Sequence, residues 1–126
     1  MTTALLEQSV NLYFILAIGY NVLSLILNDL RGRTLAPTEP VQAIVMMTVL
    51  YVVYTAQEGL GEMAWGVLII VFLLLILRFG IYRHAVGYND QDYASRTAWA
   101  AAIVINIFGV IVLSLTLFRS VSGEIV

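Results

Sequence analysis

The chain has 126 residues, of which 61% are hydrophobic and 11% are charged, and its formal net charge at pH 7 is -2. Soluble domains are about 45 to 50% apolar, so this composition indicates a single integral membrane domain over residues 1–126 and offers no basis for nucleic-acid binding. The absence of cysteine excludes disulfides, thiolate metal sites and cysteine nucleophiles.

The first apolar segment, residues 10–27, predicts a transmembrane helix. The residues before it lack the basic region and cleavage site of a signal peptide, so the segment is expected to stay in the mature protein. Its small and polar residues recur on one helical face, at Ala17, Asn21, Ser24 and Asn28. Such a face is typical of helix–helix contact in lipid.

The second apolar segment, residues 41–57, predicts another span, with Pro40 suited to its first turn. It contains hydroxyl-bearing residues at helical spacing, at Thr48, Tyr51 and Thr55. With Asn21 of the first span and Asn106 of the last, these residues either hydrogen-bond neighbouring helices or line a polar path or the headgroup site of a quinone or pigment. Helix–helix contact is the more common role of such residues.

Glu58 and Glu62 form the most suggestive ionisable pair. If the second helix continues past Ala56, the two carboxylates share one face, where they could bind a divalent cation or exchange a proton. Gly59 and Gly61 leave this continuation open. The alternative interpretation is a solvated acidic turn at the outer membrane surface, which requires no special function.

The third apolar segment, residues 63–82, carries the strongest transmembrane signal, because residues 63–77 contain no charged side chain. A basic and aromatic group follows at its end, comprising Arg78, Tyr82, Arg83, His84 and Tyr88. We expect Arg78, Arg83 and His84 either to anchor the span at the membrane surface or to bind a lipid headgroup or an acidic partner subunit. Axial ligation of a haem or chlorophyll by His84 is disfavoured by its position at the polar edge.

The fourth apolar segment, residues 97–118, also predicts a span, and Asp92 or Ser95 could cap its helix. It carries a face of small residues with one amide, at Ala98, Ala102, Asn106 and Gly109. Such a face allows the backbones of two helices to approach closely.

The expected fold is an all-α, four-helix transmembrane bundle. Four spans place both termini on one side of the membrane and the first and third connections on the other. Those two connections hold five of the six cationic residues, Arg31, Arg33, Arg78, Arg83 and Arg96. The positive-inside rule therefore predicts that both termini lie on the outer, periplasmic side of a bacterial inner membrane.

The predicted function is that of a non-catalytic accessory subunit in a larger membrane complex, of an energy-transducing kind for example, because no complete active site is recognisable. We expect membrane lipids and other membrane subunits as partners, and no enzymatic activity, metal or cofactor. The alternative is a small homo-oligomeric transporter or channel that uses Tyr51, Thr55 and Glu58, with Asn106, as its polar path. A third interpretation is an enzyme that acts on a lipid or quinone and is completed by a partner chain.

Overall fold

A computed structural model describes residues 1–86, 88–89 and 91–123. Regular structure in these ranges is entirely helical: α1 (Thr3–Arg31), α2 (Pro40–Thr55), α3 (Gln57–Leu60), α4 (Glu62–Leu75), a π-helical segment (Ile76–Tyr82), α5 (Arg83–Val86) and α6 (Arg96–Ser122). Three helices are long and apolar enough to cross a membrane, namely α1, the continuous helix Glu62–Val86, and α6. An all-α chain with helices suited to a membrane is thereby confirmed.

The helix ends are explained by capping groups. Side-chain oxygens of Thr2, Glu39 and Ser95 accept backbone N–H groups at the starts of α1, α2 and α6. Such bonds satisfy donors that the first helical turn leaves free. Gly32 and Gly123 end α1 and α6 with φ angles of 66° and 75°, a left-handed conformation that favours glycine. Ser95, one of the two predicted caps, is therefore the residue that starts α6.

The connection between the second and third apolar segments is a break in the helix. α2 has 16 residues and ends in a turn at Ala56, while Gly61, with φ 84°, separates α3 from α4. The predicted polar ridge from Thr48 to Glu62 therefore does not follow one continuous helix. The second helix does not continue unbroken past Ala56 to Glu62, a continuation that Gly59 and Gly61 had left open.

The helices pack as a ring. α1 contacts α2 and α6, α6 contacts α4 and the π-helical segment, and α2 contacts α4. The interior of the ring is filled by apolar side chains that include Val10, Tyr13, Leu50, Trp65, Ile69, Val112 and Leu113. α2 and the π-helical segment make little or no contact, so α2 and the third long helix meet near Gly61 and diverge away from it.

Gly109 of α6 lies directly against Tyr13 of α1. A Cβ atom added there would lie 2.2 Å from Cε1 of Tyr13, so the tyrosine ring packs directly on the glycine backbone. Ala98 and Ala102 of the same face are also buried. The small-residue face predicted for the fourth span is thus the surface on which α6 packs within the bundle.

Candidate functional site

The predicted polar ridge on α2 lies at the surface. Thr48, Tyr51 and Thr55 are all exposed, and the ring of Tyr51 packs edge-on against Phe14 at 5.0 Å between centroids. The hydroxyl groups of Thr48 and Thr55 donate to carbonyl oxygens within α2, at 2.8 and 3.1 Å. In a single chain the ridge therefore borders no interior path, and its two threonines are satisfied by their own helix.

Glu58 and Glu62 are likewise exposed, one on α3 and the other in the first turn of α4. The break at Gly61 lies between them. Among the described residues, no group of three or more His, Asp or Glu side chains is placed to hold a metal ion. The arrangement matches the solvated acidic turn more closely than an enclosed cation site.

A partly enclosed cavity with several polar residues lies at the other end of the bundle. A cavity of about 330 Å³ lies between α1, α2, the π-helical segment and α6. Its polar lining includes Tyr20, Asn21, Gln42, Arg83, His84 and Asn106. The structure therefore brings together four residues that the sequence singled out separately, namely Asn21, Arg83, His84 and Asn106.

The two asparagines of the cavity share one arrangement. Asn21 Nδ2 donates to the carbonyl oxygen of Ala17 at 2.8 Å, and Asn106 Nδ2 donates to that of Ala102 at 2.7 Å. Each bond uses one amide N–H and a carbonyl of the same helix. In the described part of the chain, the second N–H and the side-chain carbonyl oxygen of each asparagine have no protein partner, so they are available to a ligand.

His84 is held from two sides. Its ring Nδ1 lies 2.6 Å from the hydroxyl oxygen of Tyr93, and the indole N–H of Trp99 donates to its backbone oxygen at 2.9 Å. Burial raises the pKa of the Tyr93 phenol, so the phenol keeps its proton at neutral pH and can donate it to Nδ1. In the tautomer that accepts this bond at Nδ1, the imidazole carries its own proton on Nε2 and keeps one N–H donor without a protein partner.

The basic group predicted near the end of the third span divides into separate contacts. Arg78 lies outside the cavity, with its guanidinium 5.5 Å from the ring centroid of Phe79 and 5.2 Å from that of Tyr82. Arg83 is exposed and lines the cavity. Arg78 therefore has the geometry of an interfacial anchor, whereas Arg83 is positioned to meet a bound molecule.

Arg33, in the first connection, has a different role. It donates to backbone carbonyl oxygens of Gln91, at 3.1 Å, and Tyr93. Leu35 reinforces this contact, because its N–H donates to Ser24 Oγ at 2.9 Å and its carbonyl accepts from Ala94 at 3.1 Å. The first and third connections are thereby joined above the cavity.

Other polar residues of the cavity lining were not predicted as site residues, namely Tyr20, Thr38 and Gln42. Tyr93, which holds His84 from outside the lining, was not predicted either. Tyr20 donates its hydroxyl to the carbonyl oxygen of Ala98 at 2.8 Å, which ties α1 to the start of α6. Tyr20 precedes Asn21 and lies three residues after Ala17, so helical spacing could have assigned it to the same side of α1. No sequence signal pairs Tyr93 with His84.

The geometry defines an all-helical protein with three helices suited to a membrane and a polar cavity near one end of the bundle. Comparison with known protein families, curated proteins and solved structures finds no match. The residues and geometry of this chain are therefore the basis for the function proposed below.

Proposed function

We propose that the protein is a four-span integral membrane protein that serves as a non-catalytic accessory subunit of a larger complex in a bacterial inner membrane. The observation that carries this proposal is the exposure of α2. Of its 16 residues only Pro40 and Leu50 are buried within the chain, although most of the helix is apolar and its apolar residues are not confined to one face. A helix of this kind requires apolar surroundings, which are either lipid or another protein.

The length of α2 is compatible with contact to another protein. Its apolar part, residues 41–56, measures about 24 Å at ~1.5 Å per residue, whereas the hydrocarbon core of a bilayer is ~30 Å thick. The polar residues Gln57 and Glu58 follow directly. A short apolar segment is accommodated by thinning of the bilayer, by snorkelling of flanking residues or by association with other helices.

The phenol of Tyr51 adds a second reason. It is exposed on α2 and has no hydrogen-bond partner among the described residues. Leaving a hydroxyl unpaired in an apolar environment costs roughly 1–3 kcal/mol. A partner helix that offers an acceptor to this phenol removes the cost, so the ridge of Thr48, Tyr51 and Thr55 is the proposed contact surface.

The four-span topology is supported by contacts at both ends of the bundle. The first and third connections are joined through Arg33 and Leu35, so they lie at the same end. At the opposite end, Arg119 donates to the carbonyl oxygen of Met1. With α2 as the fourth span, the arginine distribution then favours an orientation with the termini outside.

Site-specific photo-crosslinking in native membranes tests the accessory role. A photoreactive residue is placed at Val52 on α2, which is 58% exposed, and at Leu74 on the third long helix, which is 60% exposed and serves as the matched control. We expect Val52 to form discrete crosslinks to other membrane proteins in higher yield than Leu74. Native mass spectrometry after mild extraction should show the same partners in fixed stoichiometry.

Two outcomes would contradict the accessory role. A chain that is extracted alone and forms no crosslinks through Val52 would leave α2 facing lipid. Crosslinks from Val52 only between copies of this chain would favour the homo-oligomeric transporter instead. In that case, the exposed residues Tyr51, Thr55 and Glu58 could border a path only where several copies of α2 meet.

A further inference from the structure

We propose that the cavity between α1, α2, the π-helical segment and α6 is a binding site for a lipid-soluble molecule with a neutral ring headgroup that accepts hydrogen bonds, a molecule of the quinone class. The ligand enters sideways from the membrane with its apolar tail outward. This inference goes beyond the accessory role and does not depend on it.

The position of the mouth follows from helix packing. α2 diverges from the third long helix, and the gap between α2 and the π-helical segment is not closed by close packing. Gln42, Phe79 and Arg83 line the cavity and are also exposed, with Phe79 51% exposed. Residues that belong to both the cavity and the outer surface mark its opening, which therefore lies on the side of the bundle.

Three separate elements of the cavity lining offer hydrogen-bonding side chains. Asn21 of α1 and Asn106 of α6 each retain one N–H and one carbonyl oxygen without a protein partner in the described chain. His84 of α5 is 4% exposed, and only its Nδ1 is engaged by a protein side chain. A few polar groups in a mostly apolar pocket are what orients a ligand, and amide and imidazole N–H donors suit the carbonyl oxygens of a ring headgroup.

The charge of the lining favours a neutral headgroup. Among the residues that the structure describes, no Asp or Glu lines the cavity, which argues against a cationic ligand. Arg83 is the one arginine in the described lining and is exposed, so we place it at the mouth. Recognition of a phosphate headgroup inside a membrane protein generally uses a pocket with several basic residues, so a neutral acceptor fits this lining better than a phospholipid.

The walls match a flat ring with an apolar tail. The volume of about 330 Å³ is at the lower end of the ~300–1,000 Å³ typical of ligand pockets, so the site suits one compact headgroup. Met46 and Met47 provide adaptable apolar contacts. Gly80 is required by the close approach of Asn106, because a Cβ at that position would lie 2.7 Å from Asn106 Cγ.

The π-helical segment forms one wall of the cavity. Its hydrogen bonds join residues five apart, whereas those of an α-helix join residues four apart. For example, the N–H of Arg83 donates to the carbonyl oxygen of Arg78. The segment ends directly before Arg83 and His84, so it sets the rotation with which both enter the cavity. Segments of π-helix occur frequently at functional sites.

Tryptophan fluorescence tests the proposal on the purified chain in detergent. The probe is decylbenzoquinone, because quinone rings quench indole fluorescence at short range. Trp99 contacts His84, whereas Trp65 donates to Tyr54 at the other end of the bundle. We expect saturable quenching that is retained in Trp65→Phe and lost in Trp99→Phe.

Cavity variants then locate the bound probe. Asn106→Leu removes the amide, so Kd should rise about 3- to 10-fold, as expected for the loss of one hydrogen bond. Ala43→Leu fills space in the cavity wall and should raise Kd at least as much. Val45→Leu is the matched control, because Val45 is exposed on the same helix and does not line the cavity. Circular dichroism and size-exclusion chromatography verify that each variant is folded.

The proposal is overturned if quenching is not saturable, or if Asn106→Leu and Ala43→Leu bind the probe as well as Val45→Leu does. Competition with dihexanoylphosphatidylglycerol adds a second criterion. If this lipid displaces the quinone at equal or lower concentration, the headgroup is a phosphate and the assignment of a neutral ring is wrong. Because these assays use the isolated chain, their failure leaves the accessory role untouched, and failure of the crosslinking test leaves this site untouched.

Discussion

Several polar side chains in this bundle form hydrogen bonds with backbone carbonyl groups of their own helix. Thr116 of α6 donates to the carbonyl oxygen of Val112 at 2.8 Å, and the cavity asparagines and the α2 threonines use the same backward bond within their helices. Among the described residues, no buried side-chain nitrogen or oxygen lacks a hydrogen-bond partner. Internal hydrogen bonding of this kind suits a membrane, because the hydrocarbon core contains no water to pair with polar groups.

Gly109 offers a test of close packing at the scale of one residue. In Gly109→Ala the new methyl group would lie 2.2 Å from Tyr13 Cε1, so α1 and α6 must separate. Overpacking of this kind costs about 1–3 kcal/mol. We expect a corresponding loss in the free energy of unfolding, measured by denaturation in mixed micelles.

Gly66→Ala is the control for this variant. Its added Cβ would lie 3.7 Å from Leu117 Cδ1, an ordinary contact distance. Replacing a helical glycine by alanine without a clash should leave stability unchanged or raise it by up to about 1 kcal/mol. Equal destabilisation by the two substitutions would show that Tyr13 does not pack on Gly109.

The third long helix shows how one element can serve two purposes. Its first part, α4, is a regular apolar helix with buried Trp65 and Ile69, whereas the π-helical segment and α5 place Arg83 and His84 at the cavity. The apolar run predicts the first part from length and composition. The change in helical geometry coincides with the contact between Gly80 and Asn106, which lie far apart in sequence.

Ile70→Arg tests whether this helix lies in the membrane. Ile70 is exposed in the apolar part of the helix, so a charge there would face hydrocarbon at a cost of roughly 3 kcal/mol on insertion scales. We expect the variant to be strongly depleted from the membrane fraction in a quantitative immunoblot. Met63→Arg, at the exposed start of the helix, should accumulate normally because the arginine can reach the headgroups. Equal accumulation of both variants would argue against this span.

At the scale of the whole molecule, bonds at both ends of the bundle tie distant parts of the chain. Gln57 Nε2 donates to Ser120 Oγ at 2.9 Å at one end, and Tyr20 bonds to Ala98 near the cavity at the other. These contacts link α3 to α6 and α1 to α6. The bundle therefore presents two chemically different ends, one with exposed glutamates and one with arginine-bearing connections.

Cysteine labelling can determine which end faces outward, because the chain has no native cysteine. We expect Thr2→Cys and Gly59→Cys to react with a membrane-impermeant maleimide added to intact spheroplasts. Asp29→Cys and Gln91→Cys should react only after the membrane is permeabilised, since the arginine-bearing connections are retained inside. The reverse pattern would invert the topology, and labelling of Thr2→Cys and Gly59→Cys on opposite sides would remove α2 as a span.

Much of the fold was predictable because it depends on local chemistry. Apolar length predicted the helices, Ser95 predicted one cap, and the spacing of Ala98, Ala102 and Gly109 predicted a packing face. Helix bounds were less accurate, since α1 extends beyond residues 10–27 at both ends. Its caps, Thr2 and Gly32, lie outside the apolar run that marked the segment.

The candidate site was only partly predictable. Asn21, Asn106, Arg83 and His84 stood out as polar groups in an apolar chain, but they were assigned to separate roles. Tyr51, Thr55, Glu58 and Glu62 were assigned to a ridge that the break at Gly61 interrupts. Helical spacing describes one helix at a time, and it does not reveal which faces of different helices meet.

Local chemistry along the chain was sufficient to predict apolar helices, the cap at the start of α6 and a strongly basic pair of connections. Each of these depends on the apolar content, capping groups and charges of neighbouring residues. The divergence of α2 from the π-helical segment, and the polar cavity that opens between them, became visible only in the folded chain. Those features arise from the packing of side chains on distant segments, such as Gly80 on Asn106 and His84 on Tyr93, and no local pattern contains them.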